Sequence, residues 1–306
     1  LAQTLAPFVC AWETADPTED EYDQVPVKLK NNWFTRPLNM VTEMYSLPAY
    51  SGVDPNPLMA PFFVLFYGIM LADMGYGLLM IAASLFVTLK IKPKGTMGHM
   101  FRLAGMCGVT TFLMGALTGG FFGDFLPQLA KLINPNTTFT ALPSLFTPLD
   151  NTIQILVGAM ALGFVQIITG MAISFIRKLK AGQVMDAIWE ELTWWVVFAG
   201  IGLFALGIGS VNGVPVVLAV GIVMIVVGSG WNAKGFGKVT AIFGSLYNHI
   251  TGYFGDILSY SRLMALMLAG SVIAQVFNTL GAIPGNIVIF LLISLAGNTL
   301  NFVLNL

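Results

Sequence analysis

The sequence predicts an all-α fold, a polytopic transmembrane helical bundle of about eight spans. Of its 306 residues, 56% are hydrophobic and only 9% are charged. Its mean hydropathy of +0.80 is too high for a soluble globular domain. Long apolar segments recur along the chain, without the roughly ten-residue alternating segments of a transmembrane barrel. Because lipid offers no hydrogen-bond partner to an open strand edge, the spanning segments are expected to be helical.

Residues 1–57 differ in composition from the rest of the chain. They contain eight of the fifteen acidic residues, whereas the later charges cluster in short breaks between apolar segments. We therefore interpret 1–57 as a cytoplasmic segment, the remnant of an N-terminal soluble domain. Residues 58–306 are predicted to form a transmembrane domain whose last helix is truncated. Leu1 is not a start methionine, so we expect an upstream portion.

Seven apolar segments are long enough to cross about 30 Å of hydrocarbon at 1.5 Å per residue. They are 58–90, 101–123, 151–176, 187–210, 214–230, 252–280 and 285–306. Three breaks between them are basic, and the positive-inside rule places these on the cytoplasmic side. Their basic residues are Lys90, Lys92, Lys94 and Arg102, then Arg177, Lys178 and Lys180, then Lys234 and Lys238. The breaks at 124–150 and 211–214 contain only one basic residue, Lys131, and are expected to face outward.

The segment 58–90 is predicted to cross the membrane twice, as a helical hairpin. The residues before it include three cations that place it inside, namely Lys28, Lys30 and Arg36. The break that follows is also inside, so the number of crossings must be even. Residues suited to the reversal lie near the centre of the segment, namely Asp73, Gly75 and Gly77. Asp73 either caps this reversal or lines a pathway. The hairpin raises the count from seven spans to eight.

Composition excludes several classes of function. The net charge of −1 argues against a nucleic-acid partner, since neutralising phosphates needs a basic surface. Cys10 and Cys107 fit neither a disulfide framework nor a metal site, and we expect them to be inert packing thiols. His99 and His249 alone make no metal site. The chain has no Gly-rich phosphate loop with a lysine. We therefore expect no metal, no cofactor and no nucleotide site.

Arg262 is the most unusual residue for its surroundings. From Val239 to Leu306 the only charged side chains are Asp256 and Arg262. A guanidinium within a transmembrane helix costs at least roughly 2.5–3.5 kcal/mol, so such residues usually face a cavity, a partner or a pathway. Asp256 is six residues away, about 120° round a helix, and is poorly placed to pair with it. Snorkelling to the headgroups or a structural ion pair are the alternatives.

Small and polar residues are arranged in stripes around this arginine. Four small residues share its face at steps of three and four and would let another helix approach closely; they are Gly255, Ser259, Ala265 and Ala269. Two polar stripes follow, formed by Ser271, Gln275 and Asn278 and, on the last helix, by Ser294, Asn298, Asn301 and Asn305. An antiparallel fold about Gly285 is predicted to bring Ser271 level with Ser294 and Arg262 level with Asn301 to Asn305. The stripes then line a hydrated route, or else form ordinary interhelical hydrogen bonds.

The segment around Arg262 resembles a known family. Tyr260-Ser261-Arg262-Leu263-Met264-Ala265-Leu266, preceded by Gly255-Asp256, resembles the arginine helix of subunit a, called I in bacteria and archaea, of V/A-type ATPases. Four more blocks resemble the family's entry into the membrane and its first hairpin. They are Pro26-Val27-Lys28-Leu29-Lys30-Asn31, Arg36-Pro37, Thr42-Glu43-Met44-Tyr45 with Leu47-Pro48, and Phe66-Tyr67-Gly68-Ile69-Met70-Leu71-Ala72-Asp73-Met74-Gly75-Tyr76-Gly77. The resemblance covers residue 26 to the end.

The resemblance implies a stator subunit that crosses a bacterial or archaeal cell membrane several times. This subunit is expected to have no catalytic residues. Two long tilted C-terminal helices are expected to face a rotor ring of c/K-type hairpin subunits, with Arg262 meeting the ring carboxylates that carry H⁺ or Na⁺. Central-stalk and peripheral-stalk subunits are the other expected partners, and ATP is hydrolysed on other subunits. The family's second arginine and glutamate on the last helix have no counterpart before Leu306.

Further acidic residues leave alternatives open. Asp186, Glu190 and Glu191 begin a helix beside a cytoplasmic break, where Glu190 and Glu191 either form the mouth of a half-channel or favour the helix dipole. An intramembrane aspartyl protease using Asp124 and Asp256 is disfavoured, because Phe122 and Phe254 replace the first glycine of that family's motif. A secondary transporter is supported only by the echo between 120–124 and 252–256.

Overall fold

The computed structural model describes residues 17–18, 21, 25, 27–50, 52–208, 210–211, 214–229 and 237–305. Cys10, Lys234 and Leu306, on which parts of the sequence analysis depend, lie outside the described residues. The chain divides into two compact units, and each is described by itself. The first unit comprises Leu1–Gly68 and Tyr76–Phe112, and the second comprises Ile69–Gly75 and Leu113–Leu306. The predicted boundary at residue 57 stays a prediction.

The described residues of the N-terminal half form four α-helices. A 3-10 turn at Arg36–Leu38 leads into α1, Asn39–Tyr45. The hydrophobic helix α2 is Asn56–Leu71, and α3 is Met74–Phe86 with a π-helical extension at Val87–Ile91. Helix α4 is Thr96–Thr118 and ends where Gly119 takes a positive φ of 71°. The predicted span 101–123 is therefore placed too late, and Arg102 lies inside α4 rather than in a loop.

In the part of the C-terminal half that the structure describes there are eight further α-helices and one pair of two-residue strands. The helices α5 to α8 are Phe125–Ile133, Thr152–Lys180, Val184–Ala187 and Thr193–Ala205, with a π-helix at Ile188–Leu192 before α8. Strands β1, Ser210–Val211, and β2, Val214–Pro215, pair antiparallel. The helices α9 to α12 are Val216–Ser229, Gly237–Ser259, Ser261–Ala282 and Ile287–Asn305.

Length and apolar composition qualify six helical segments of the described chain to cross a membrane. They are Met74–Ile91, Thr96–Thr118, Thr152–Lys180, Val184–Ala205, Ile242–Ala282 and Ile287–Asn305. Two shorter apolar helices, Asn56–Leu71 and Val216–Gly228, bring the number to the predicted eight. The all-α membrane bundle is therefore confirmed.

The predicted hairpin reversal lies at Ala72 and Asp73. Thr110 Oγ1 donates a hydrogen bond to the Val64 carbonyl at 2.7 Å, and Thr118 Oγ1 donates one to the Ala72 carbonyl at 2.8 Å. Helix α2 therefore runs in the same direction as α4. Contacts of α3 with α4 run in the opposite order, because Gly105 meets Ser84 and Gly108 meets Met80. Helices α2 and α3 are thus antiparallel, as the parity of the basic breaks predicted.

Gly75 and Gly77 have a different role from the predicted one. Both lie inside α3, where an added Cβ would come within 2.7 Å of the Phe122 ring and 2.5 Å of the Phe112 backbone, respectively. Their small size therefore serves close packing rather than the reversal itself. The reversal instead requires a positive φ of 36° at Ala72.

The predicted helix 252–280 is in fact two helices joined at Tyr260. Tyr260 N bonds to the Ile257 carbonyl and Leu263 N to the Tyr260 carbonyl, so the spacing tightens to three residues at the joint. Tyr260 Oη donates a hydrogen bond of 2.9 Å to Gln166 Oε1 on α6. Gly163 of α6 lies directly against the Tyr260 ring, and a side chain there would clash with it. The joint, two residues before Arg262, is therefore fixed against α6.

Helices α6, α8, α9 and α10 share a buried apolar cluster. Its centre is formed by Met171, Trp194, Val197 and Ile225, and Tyr253 of α10 packs against it. His249 stacks on Trp194 with a centroid distance of 5.1 Å, and its Nδ1 lies 2.7 Å from the Ser245 carbonyl. This cluster sets the position of the α10 helix that leads to the Tyr260 joint.

Candidate functional site around Arg262

Arg262 is the second residue of α11 and is exposed. The four small residues predicted to share its face are also exposed, namely Gly255, Ser259, Ala265 and Ala269. A Cβ added at Gly255 would meet nothing within 4 Å. The face continues through Val272 and Val276, which are 39% and 48% exposed. The strip therefore survives the joint at Tyr260 and is left uncovered by the described part of the chain.

Within the described residues, Arg262 has no hydrogen-bond or ion-pair partner. The two ion pairs there both belong to Lys178, and Asp256 makes no salt bridge with Arg262. The alternative of a structural ion pair is therefore wrong for this part of the chain. What remains is an exposed, permanently charged guanidinium on a face of small residues.

The asparagines of the two polar stripes are buried between α11 and α12. Asn278 and Asn301 are fully buried, and Asn298 is 8% exposed. Asn298 Nδ2 donates to Asn278 Oδ1 at 3.3 Å and to the Ser294 carbonyl at 2.8 Å. Asn301 Nδ2 donates to the Gly270 carbonyl at 2.9 Å. The bonds from Asn298 to Asn278 and from Asn301 to Gly270 form an interhelical ladder, as the packing alternative expects.

The end of the ladder corrects the predicted helix register. Asn305 Nδ2 donates to the Asn301 carbonyl and to Asn301 Oδ1, both at 2.9 Å. Gly270 faces Asn301 and Asn305, and Gly297 meets the Phe277 ring. Arg262 therefore lies about two helical turns beyond Asn305 rather than level with it. Likewise, Ser294 lies near the level of Asn278 rather than of Ser271. The prediction was wrong because its residue pairs are centred near residue 283, whereas the observed contacts of Gly270 with Asn301 and of Gly281 with Phe290 are centred near residue 286.

Ser271 and Gln275 differ from the rest of their stripe. Both side chains are half-buried, and neither makes a hydrogen bond to a described residue. Asn278, one turn on, is instead fully engaged. The three residues of this stripe therefore differ: Asn278 makes hydrogen bonds, whereas the polar groups of Ser271 and Gln275 make none to described residues.

Asp73 is buried and binds the backbone of a loop far along the chain. It is only 5% exposed, and its Oδ1 accepts hydrogen bonds from Gly75 N at 2.8 Å and Phe122 N at 2.9 Å. Its Oδ2 accepts one from Gly123 N at 2.8 Å. The bond to Gly75 is the predicted helix cap at the reversal. The bonds to Phe122 and Gly123 were not predicted.

The loop held by Asp73 in turn contacts α11. Asn278 Nδ2 donates to the Phe122 carbonyl at 2.8 Å and to Asp124 Oδ1 at 3.0 Å. Gly123 has a φ of 68° and lies against Ala274, where an added Cβ would approach to 2.7 Å. A continuous set of bonds thus runs from Asp73 through this loop to Asn278 and the ladder. It fixes the helix that carries Arg262 to the hairpin reversal.

The echo between 120–124 and 252–256 does not correspond to a structural repeat. Residues 120–124 form a turn with positive φ at Phe122 and Gly123, whereas 252–256 lie inside α10. Asp124 bonds to Gln128 and Asn278, and it makes no contact with Asp256. Neither the transporter repeat nor the protease pair gains support.

Glu190 and Glu191 are both ion-paired. Lys178 Nζ, on α6, lies 2.6 Å from Glu190 Oε2 and 2.9 Å from Glu191 Oε1. Ser174 Oγ also donates to Glu191 Oε1 at 2.6 Å. Glu191 is buried, whereas Glu190 is exposed, and both lie on the π-helix. This cluster joins the C-terminal end of α6 to the π-helix before α8, a contact that neither interpretation of the two acids anticipated.

A cavity of about 370 Å³ lies beside α11 in the second unit. It reaches Met267, five residues after Arg262, and its polar lining is limited to Asn151 and Gln154 on α6. The remaining lining is apolar, with residues such as Leu162 and Phe146. Because water needs several polar partners to occupy such a space, this cavity does not fit a hydrated route.

Comparison with known proteins identifies similar chains. A sequence model of the V-type ATPase 116kDa subunit family matches residues 11–133. An A-type ATP synthase subunit I from Methanocaldococcus jannaschii is 34% identical over 96% of this chain and 46% of its own length. The Pyrococcus abyssi protein of the same name is 34% identical over 96% and 44%, respectively. A V-type ATP synthase subunit I from Borreliella burgdorferi is 26% identical over 97% and 51%. The chain spans about half the length of these relatives.

Proposed function

This chain belongs to the V-type ATPase 116kDa subunit family, and we propose that it is the membrane stator of a rotary ATPase, located in a bacterial or archaeal cell membrane. The observation that carries this proposal is Arg262, an exposed cation with no partner among the described residues, on an uncovered strip of small side chains. The strip accepts the rotor ring. The names of the relatives, A-type and V-type ATP synthase subunit I, support the same assignment.

Arg262 acts through its fixed charge. A guanidinium does not lose its proton in a protein, so it favours the ionised form of a ring carboxylate that comes close. The carboxylate then releases its H⁺ or Na⁺. Exposed small residues on both sides of Arg262 let successive ring helices pass at short range. The charge also prevents a bound cation from crossing directly between the two sides of the stator.

The chain itself performs no catalysis in this proposal. ATP is hydrolysed on other subunits, and central-stalk and peripheral-stalk subunits complete the machine. The described residues supply an arginine face and its support, and the sequence lacks a phosphate-binding loop. Ion flow is coupled to rotation because each ring carboxylate in turn comes close to Arg262.

The structure favours a smaller set of half-channel residues than the sequence did. The buried ladder of Asn278, Asn298 and Asn301 holds α11 against α12. Ser271 and Gln275 keep unused polar groups on α11, and we assign them to the ion route. The Lys178–Glu190–Glu191 cluster braces the cytoplasmic side, although its exposed Glu190 also leaves a carboxylate in contact with water.

Crosslinking tests whether the strip faces the ring. Ala269→Cys, on the exposed strip, is expected to crosslink to a cysteine placed on the outer helix of the ring subunit in the assembled ATPase. Val165→Cys provides the control, because Val165 is 51% exposed on α6, away from the strip. Equal crosslinking at the two positions, or none at Ala269→Cys, would contradict the proposed rotor face.

A pair of leucine variants separates the route from the ladder. Gln275→Leu is expected to slow ion flux per assembled complex without lowering stability, since the side chain has no described bond to lose. Asn298→Leu removes an interhelical bond, which is worth about 0.6–1.7 kcal/mol in membranes. It should lower the amount of stable complex while leaving flux per complex unchanged. Ion flux normalised to assembled complex checks both predictions. If Asn298→Leu slowed the flux per complex and Gln275→Leu did not, the ladder asparagines rather than Gln275 would line the ion route.

A further inference from the structure

The segment before the first apolar helix buries several polar side chains together with Pro37 and Leu38. Asn39 Oδ1 accepts hydrogen bonds from Asn31 Nδ2 at 2.6 Å and from Asn56 Nδ2 at 2.9 Å. Thr42 Oγ1 donates to Asn56 Oδ1. Asn39, Thr42 and Asn56 are at most 9% exposed, and Asn56 is fully buried. These bonds tie α1 to the first residue of α2 within the first unit.

The same segment exposes its large apolar side chains. Tyr45 is 88% exposed, Trp33 79% and Met44 74%, and Phe34 and Leu47 are also exposed. A helix on the surface of a soluble protein shows the opposite pattern, with apolar residues inside and polar residues outside. Five neighbouring exposed apolar side chains indicate a surface that is covered by something other than water.

Exposed basic residues also belong to the first unit. Lys28, Lys30 and Arg36 in the segment are exposed, as are Lys90, Lys92 and Lys94 after α3. Exposed Trp and Tyr beside clustered Lys and Arg are typical of the boundary between a membrane and water on the cytoplasmic side.

We infer that residues 33–50 form an interfacial anchor that lies on an anionic lipid surface. Trp33, Met44 and Tyr45 insert among the acyl chains and headgroups, where the amphipathic Trp and Tyr rings are well solvated. The basic residues attract anionic headgroups. The anchor is followed closely along the chain by the apolar helix α2, which begins at Asn56. This inference is independent of the proposed stator role, since it concerns only how the chain meets lipid.

The buried asparagine network gives the anchor its shape. Because Asn31 and Asn56 both donate to Asn39 Oδ1, these polar groups are satisfied within the protein, and the outer surface can leave the aqueous phase. The segment therefore behaves as a rigid wedge beside the start of α2 rather than as a free tether.

Spin labels test the inference on the full chain in lipid nanodiscs. A label on Tyr45→Cys is expected to collide with lipid-soluble O₂ several-fold more, relative to a water-soluble nickel complex, than a label on Asn136→Cys. Asn136 is exposed in the α5–α6 loop and provides the aqueous control, and Leu292→Cys, 63% exposed on α12, provides the lipid control. Of the two native cysteines that could also take a label, Cys10 is replaced by serine, and Cys107 is kept because it is buried.

Three outcomes would overturn the inference or part of it. A Tyr45 label that matches the Asn136 label would place the segment in water. A label shielded from both reagents would mean that protein, either another segment or a second copy, covers the surface. Insertion should be deeper in phosphatidylglycerol than in phosphatidylcholine, and Lys28→Gln with Lys30→Gln should remove most of that difference. Equal depth in both lipids would overturn the electrostatic part.

Discussion

Arg262→Ala is expected to abolish ATP-driven ion transport while the subunit still inserts and assembles. Arg262 is exposed and has no bonded partner among the described residues, so its loss removes no contact that holds this part of the fold. What is lost is the fixed positive charge that a ring carboxylate would meet. Transport by proteoliposomes, normalised to assembled complex, measures the effect. Near-normal transport by the alanine variant would sink the proposed mechanism.

Two further variants sharpen this test. Arg262→Lys should rescue poorly, because an ammonium is a shorter, more strongly hydrated point charge that lacks the planar fork of a guanidinium. Arg177→Ala, which removes an exposed arginine near the end of α6, should leave transport close to normal. A structural arginine at 262 would behave differently, since its loss would reduce the amount of complex while each assembled complex pumped at the ordinary rate.

The features that sequence reasoning predicted are those governed by local pattern. The eight apolar helices follow from segment length. The even number of crossings in 58–90 follows from the basic breaks before and after that segment. The exposed strip around Arg262 follows from helical spacing, and it survives the joint at Tyr260 because the tightened turn there barely changes the phase. Asp73 was placed at the reversal, where it caps α3.

The features that sequence reasoning missed depend on contacts between distant segments. The α11–α12 turn determines which residues of the two helices face each other, such as Asn301 and Gly270. The helical periodicity of each segment does not determine this register. Glu191 pairs with Lys178 because the α6–α8 connection brings them together, not because of their spacing. The signal that could have indicated the Asp73 loop was the glycine-flanked turn at 119–123, whose positive φ values leave backbone N–H groups free to bind a carboxylate.

Asp73→Ala is expected to destabilise the second unit strongly. The substitution leaves the N–H groups of Gly75, Phe122 and Gly123 without their carboxylate acceptor. Hydrogen bonds to charged groups contribute about 1.5–3 kcal/mol each, and buried donors left unpaired carry their own desolvation cost. We expect a loss of at least about 3 kcal/mol, seen as a large fall in assembled complex and in its thermal stability.

Asp73→Asn separates this supporting role from a place on the ion route. The amide oxygen of asparagine can still accept the bonds from Gly75 and Phe122, whereas the bond from Gly123 is lost or weakened. A supporting carboxylate therefore predicts partial recovery of assembly, with transport per complex close to normal, because the loop still holds Asn278 and α11. Full assembly with no transport per complex would instead make the charge of Asp73 itself part of the ion route. Measuring both quantities in the two variants distinguishes these roles, because an alanine variant that fails to assemble reports only on the fold, whereas the asparagine variant keeps most of the fold and removes the charge.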